Sequence, residues 1–320
     1  MDFGLLLDNL LSPPILFFIL GVFACLAKSD LEFPQPLPKL FSLYLLFAIG
    51  YKGGLSLAKG ETGWEMFFIF AGAVLFSALT PLIAFYLARI RLNRPNAAAI
   101  AATYGSVSAV TFITATSFLD SLKTGYSGYM VAALAIMESP AIIAGIMLAK
   151  GGGGAQGKKI EYKKLFHEAF LNSSVLLLLG SMVIGFFSAS HTIGKMLPFT
   201  QEIFYGVLCF FLLEMGIVAS KRLDALKQAG IFPIVLAIVI PLINAALAVI
   251  FCVIFKIGGG NAFLFITLAA SASYIAVPAA MRLALPEANP SFYVPMALAL
   301  TFPFNITIGM ALYYHISTLL

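Results

Sequence analysis

The chain contains itself twice. Ala133-Leu134-Ala135-Ile136, followed by Gly145-Ile146-Met147-Leu148, recurs 164 residues on as Ala297-Leu298-Ala299-Leu300 and Gly309-Met310-Ala311-Leu312, and Pro81-Leu82-Ile83 recurs as Pro241-Leu242-Ile243. Each copy carries about five apolar stretches, and an odd number of membrane spans turns the second copy upside down relative to the first. That parity marks an inverted-repeat secondary transporter; neither a duplicated enzyme nor a soluble solenoid requires it.

With 61% hydrophobic and 10% charged residues, the chain has more apolar surface than a soluble domain can bury. It is predicted to be an all-α integral membrane protein. A spanning helix needs about 20 apolar residues, and ten stretches meet or approach this: 13–27, 38–57, 64–88, 96–118, 126–149, 166–189, 199–220, 231–256, 261–284 and 291–318. The first is short and could begin within Leu5–Leu11. Because Met1–Asp8 holds acids and no Lys or Arg, it lacks the basic start of a cleavable signal peptide, and the first span is predicted to be retained. Cys25, Cys209 and Cys252 lie in apolar runs without metal-like spacing and read as small hydrophobes.

The odd-numbered loops hold Lys28, Lys39, Arg89, Arg91, Arg94, Lys150, Lys158, Lys159, Lys163, Lys164, Lys221, Arg222, Lys227 and Arg282, against Lys52, Lys59, Lys123, Lys195 and Lys256 elsewhere. The positive-inside rule then places the odd loops in the cytoplasm and both termini outside the inner membrane. Basic residues that set topology also account for the net charge of +5, which excludes nucleic acid as a partner. The predicted organisation is a first five-helix repeat over 1–149, a glycine-rich cytoplasmic linker over 150–164 and a second, inverted repeat over 165–320. The linker has no Gly-Lys-Ser/Thr ending and no preceding strand, so it is a hinge rather than a phosphate-binding loop.

Two matched spans carry polar breaks. The fourth reads Ala102-Thr103-Tyr104-Gly105-Ser106-Val107-Ser108-Ala109-Val110-Thr111; its mate, the ninth, reads Ala270-Ser271-Ala272-Ser273-Tyr274-Ile275-Ala276-Val277-Pro278. Non-helical backbone at membrane depth is tolerated only where it is packed in protein or lines a wet cavity. With the two spans running in opposite directions, the second half of each begins near the midplane, and the two helix N-termini face one another. Each carries about half a positive charge and unsatisfied N–H donors. Together with the hydroxyls of Ser106, Ser108, Ser271 and Ser273 they form a site for a small anion, a carboxylate or bicarbonate.

Glu138 falls near the centre of the fifth stretch. An ionised carboxylate there costs at least about 2.5–3.5 kcal/mol, so it is predicted to be paired, protonated or bound to a cation, and Na⁺ coordination or proton carriage is the functional reading. Thr301, Asn305 and Thr307 around the equivalent place in the tenth stretch offer neutral oxygens of the kind a hard cation accepts. Lys52 and Glu214 are also repeat mates; inverted symmetry puts them on opposite sides of the membrane, where each reads as a snorkelling or gate residue. Arg282 reads equally as a topology determinant or an anion counter-charge. His167, His191 and His315 lie at span ends without partners at ligand spacing.

Gly105-Ser106-Val107-Ser108, Glu138-Ser139-Pro140-Ala141 and Arg282-Leu283-Ala284-Leu285-Pro286-Glu287-Ala288-Asn289-Pro290-Ser291-Phe292-Tyr293 resemble the corresponding segments of the sodium-dependent bicarbonate transporter family over nearly the whole chain. The resemblance implies an inner-membrane symporter of two inverted five-helix repeats, a homotrimer, moving bicarbonate with Na⁺ by an elevator-like motion and needing no cofactor beyond the coupling ion. It places Gly105, Ser106 and Ser108 in one half of the substrate site and Ser271 and Ser273 in the other; beside these, Tyr274 is predicted to bind substrate, and Glu138, Thr111, Thr301 and Asn305 are predicted to bind sodium. Relatives carry Asp where this chain has Tyr274 and Glu138. They also bind a PII-like cytoplasmic regulator beside a longer central segment; the short linker here leaves such a partner open without implying it.

Three other readings compete with this one. An intramembrane enzyme needs a nucleophile–base pair or a metal cluster at depth, and the sequence has no His-Glu-x-x-His. An anion channel needs polar residues along a whole path, whereas here they form one central layer. A sodium- or proton-coupled transporter of another small carboxylate or an amino acid keeps the architecture and changes the cargo.

Overall fold

The computed structural model describes residues 3–34, 36–60, 63–138, 140–150, 173–189 and 193–320, and among them every regular element is helical. Most of the linker expected over 150–164, together with Ser139, His167 and His191, lies outside the described residues.

The first half of the chain forms α1 (Phe3–Leu10), α2 (Pro13–Leu26), α3 (Pro36–Leu57), α4 (Trp64–Arg89), α5 (Arg94–Gly105), α6 (Ala109–Ser121), α7 (Tyr129–Glu138) and α8 (Pro140–Lys150). The second half begins with α9 (Ser173–Ser188) and α10 (Ile193–Leu197), which a π-helical turn, Pro198–Glu202, joins to α11 (Ile203–Ala229). It continues through α12 (Ile231–Phe255), α13 (Gly259–Ala269) and α14 (Ala276–Ala284). The last span is assembled from α15 (Pro290–Pro295), α16 (Phe302–Phe304) and α17 (Met310–Ser317), joined by π-helical stretches Met296–Thr301 and Asn305–Gly309.

Local sequence explains the joints. Pro13 and Pro14 fill the first turn of α2, where a missing N–H leaves nothing unsatisfied, and extended Ser12 sets a 60° bend against α1. Asn93 and Asn289 cap α5 and α15 by accepting from Asn96 N–H and Ser291 N–H at 3.1 and 2.9 Å. Between α11 and α12 the backbone turns at Gly230 with φ +87°, a left-handed conformation in which a Cβ would be strained.

Among the described residues, seven helical stretches are long and apolar enough to cross a membrane, or eight when the bent pair α1–α2 counts as one. The chain is a multi-pass membrane protein. The sequence predicts ten spans, and the described helices supply seven or eight. The sixth predicted stretch shows the 16-residue α9 over its described residues, and the ninth is divided into α13 and α14 by the non-helical residues 270–275.

The helices sort into two packed groups. In one, α2 lies along α11 and α3 along α9, so each pair joins the two halves of the chain. Glycine permits the approach: a Cβ on Gly21 would strike the Leu213 carbonyl oxygen, and one on Gly216 the Phe18 carbonyl oxygen; Gly54 and Gly185 stand in the same relation to Met182 and Tyr51. In lipid no hydrophobic force drives helices together, and such small-residue faces let backbones touch. In the other group, α4 packs on α5, α7 and α8, α12 packs on α13 and the 296–301 stretch, and α13 crosses α6. The broken span lies at its centre: 94% of the most apolar stretch of residues 94–121 is buried, against 39–44% for α3, α4 and α12.

Two asparagines tie the ends of this second group. Asn96, third residue of α5, accepts from Asn289 N–H at 2.8 Å; Asn261, third residue of α13, accepts from Ser127 N–H at 2.8 Å. Each links the start of one broken span to the segment that opens the last span of the opposite half.

Candidate functional site

Helix α5 stops at Gly105 because Ser106 turns to extended backbone, φ −83° and ψ 149°. Ser108 is extended as well and caps α6, its Oγ accepting from Thr111 N–H at 3.1 Å. In the other half the chain leaves α13 at Ala270 and re-enters helix at Ala276. The two breaks cross and bond directly. Ser108 N–H donates to Ser271 Oγ at 2.9 Å, and Ser273 N–H donates to the Thr103 carbonyl at 2.9 Å. Buried backbone groups that helix geometry would leave orphaned are thus satisfied from the opposite half of the chain. Ser106 Oγ donates to the Glu138 carbonyl at 2.9 Å, tying the first break to the end of α7.

Beside this crossing lies a cavity of about 30 Å³, lined by Ser108, Glu138, Ser273 and Tyr274. The first residues of α6, Ala109 and Val110, and of α14, Ala276, also line it, so both half-helix N-termini border one space. As it stands the cavity suits a water or an ion of a few atoms and not a sugar or nucleotide. Tyr274 is buried, and its hydroxyl lies beside Ser108 without meeting full hydrogen-bond geometry to any described residue. A buried polar atom left unpaired costs about 1–3 kcal/mol, and a bound anion would receive that proton. Glu138 is 6% exposed, and no ion pair between described residues involves it. The far wall comes from the other helix group, through Ser42 and Leu46 of α3 and Ser174 of α9.

The candidate residues therefore fall into three sets. Ser108, Ser273, Tyr274 and Glu138 line the cavity. Gly105, Ser106, Ser271 and Thr111 shape the breaks: Gly105 lies against the Pro81 ring and Ala141, Ser106 and Ser271 are engaged as above, and Thr111 belongs to the first turn of α6. Thr301 and Asn305 stand behind, holding backbone. Pro241 cannot donate to the Ala237 carbonyl, and Thr301 Oγ1 donates to it at 2.6 Å while standing 2.7 Å from Tyr104 Oη of α5. Asn305 Nδ2 donates to the Ala270 carbonyl at 2.9 Å, and its Oδ1 accepts from Tyr313 Oη at 3.0 Å. Ser42, Leu46 and Ser174 were not legible as site residues, because single hydroxyls in apolar helices carry no periodic signal.

Thr301→Val keeps the shape and removes the donor for Ala237 and the partner of Tyr104. It is expected to lower stability by about 1–3 kcal/mol, read as a lower melting temperature of the detergent-purified protein. An unchanged melting temperature would show that the Ala237 carbonyl finds another donor.

Comparison with curated proteins gives no match to this chain. Residues 13–318 do match the family model of the Na⁺-dependent bicarbonate transporter superfamily, and the chain belongs to that superfamily.

Proposed function

We propose that the protein is a secondary active transporter that carries bicarbonate together with Na⁺ across the inner membrane. The observation that carries the reading is one small cavity bordered by two half-helix N-termini, the buried Tyr274 hydroxyl beside Ser108, and a buried carboxylate, Glu138, that no ion pair between described residues involves. The N–H groups of α6 and α14 and the hydroxyls of Ser108, Ser273 and Tyr274 receive the anion. Glu138 binds Na⁺ next to it, so the two charges neutralise each other and neither travels uncompensated through the low-dielectric interior. Thr111, Thr301 and Asn305 complete the sodium shell only where they exchange their present partners for the ion.

The proposed architecture is ten spans in two inverted five-helix repeats, both termini outside and the 150–164 linker in the cytoplasm. Two features support it. Asn96 and Asn261 make the same link at opposite ends, and the glycine-faced pairs α2–α11 and α3–α9 join first to seventh and second to sixth spans, pairings that an inverted two-fold interchanges. The cavity lies where the two helix groups meet, so sliding one group along the other would carry bound ions across, an elevator-like motion. A homotrimer, with docking of a PII-like regulator at the linker as an optional addition, completes the proposal.

Purified protein in proteoliposomes is expected to accumulate radiolabelled bicarbonate saturably, and only with an inward Na⁺ gradient. Saturable Na⁺-driven uptake of another small carboxylate from a test panel, without bicarbonate, would change the cargo. Non-saturating flux insensitive to Na⁺ would overturn the symporter reading.

A further inference from the structure

Four charged residues outside the cavity obey the repeat. Lys52 of α3 and Asp120 of α6 form an ion pair at 3.3 Å, with side chains 21% and 51% exposed, and the Lys52 ammonium lies 5.4 Å from the Phe204 ring centre. The pair bridges the two helix groups. It borders a large cavity of about 600 Å³ that also touches Gly53, Thr124, Tyr126 and Gln201. Lys52 stands 162 residues before Glu214, and Asp120 and Arg282 lie in the last turns of the matched half-helices α6 and α14. The second set repeats the first with both signs reversed.

Yet the second set is not joined. Glu214 lies partly buried in α11 and Arg282 exposed in the last turn of α14, and no ion pair between described residues involves either. Lys221, two turns beyond Glu214, is occupied by Glu32 at 3.0 Å.

We propose that Lys52–Asp120 and Glu214–Arg282 are alternate latches, one closed in each end state of the transport cycle. The inference rests on the inverted-repeat transporter proposed above. Under that topology Lys52 and Asp120 sit toward the outer side, and Glu214 and Arg282 toward the cytoplasm. In the present state Asp120 meets Lys52, while Arg282 is exposed and forms no ion pair with Glu214. The ion cavity agrees: its far wall is Ser42 and Ser174, near the cytoplasmic ends of α3 and α9. Sliding the group that holds α6 and α14 outward separates Asp120 from Lys52 and brings Arg282 level with Glu214. One partly exposed ion pair is exchanged for another of the same kind. The two end states then stay close in free energy, as a cycling transporter requires, because a latch on one side alone would bias the equilibrium toward a single state.

The test uses the full-length protein with Cys25, Cys209 and Cys252 replaced by Ser. K52C/D120C and E214C/R282C are treated in membranes with a short bifunctional thiol reagent, and a third cysteine, S42C, reports access to the cavity from the cytoplasmic side. Both pairs are expected to cross-link in protein that stays monodisperse. S42C should remain reactive when the outer pair is locked and become protected when the inner pair is locked. In parallel, E214R and R282E are each expected to slow uptake at least about fivefold, and the double exchange E214R/R282E to recover most of the loss. Absence of the inner cross-link, or the same S42C reactivity in both locked forms, would overturn the latches. Opposite S42C reactivities in protein that fails to take up bicarbonate would instead keep the latches and remove the cargo assignment.

Discussion

Glu138→Gln is expected to stop Na⁺-driven uptake, or to raise the Na⁺ concentration for half-maximal uptake at least about tenfold, while the protein remains folded. A carboxylate in the bundle interior costs at least about 2.5–3.5 kcal/mol, and a cation that relieves this gains the same energy, enough for about two decades in affinity. No protein cation pairs with Glu138 among the described residues, and a bound Na⁺ is the proposed relief. Gln keeps the volume and removes the charge. The local backbone should survive, because Ser106 donates to the carbonyl of residue 138 and not to its side chain. Uptake assayed over a Na⁺ series decides it: an unchanged Na⁺ dependence would assign Glu138 to packing and shift the cation toward Thr111, Thr301 and Asn305.

Gly105→Ala should have an effect of similar size by another route. A Cβ at this position would overlap the Pro81 ring, with Pro81 Cδ at 2.8 Å and Ala141 Cβ at 2.9 Å. A buried proline ring inside a helix has no rotamer to move to, so α4 and α5 must part. Overpacking of this kind costs about 1–3 kcal/mol, and the displaced end of α5 carries Thr103, whose carbonyl holds Ser273. Loss of uptake together with a lower melting temperature is expected. Gly180→Ala is the control, since nothing lies within 4 Å of the added methyl there, and it should change neither quantity. Full activity in Gly105→Ala would show that the break adapts to the intrusion.

Much of this was readable in advance, for identifiable reasons. Hydroxyls and glycine in the middle of an otherwise apolar run announce non-helical backbone, which is why Gly105-Ser106-Val107-Ser108 and Ser271-Ala272-Ser273 could be placed at breaks. Glu138 stands out because its burial is costly in any helix. Residues whose role depends on a partner far along the chain were harder. Thr301 looks like a cation ligand until the carbonyl freed by Pro241 is seen to receive its proton, and Asn305 until Ala270 and Tyr313 are found on its two ends. Span number was similarly obscured. Hydropathy reads 261–284 as one stretch, but after Ser271 turns back on Leu268 its Oγ accepts from Ser108 N–H and Ser273 N–H donates to Thr103 in the opposite half, and the stretch becomes two short helices.

The glycine faces have a consequence for how such a chain is made. Gly21 on α2 and Gly54 on α3 are covered by α11 and α9, both synthesised after the linker. While only the first half has left the ribosome, those bare ridges face lipid tails or each other. The early helices therefore wait unassembled until their later counterparts insert. Fragments ending near residue 150 would be membrane-inserted yet lack half of their packing, and supplying the other half as a separate polypeptide should restore what neither fragment forms alone.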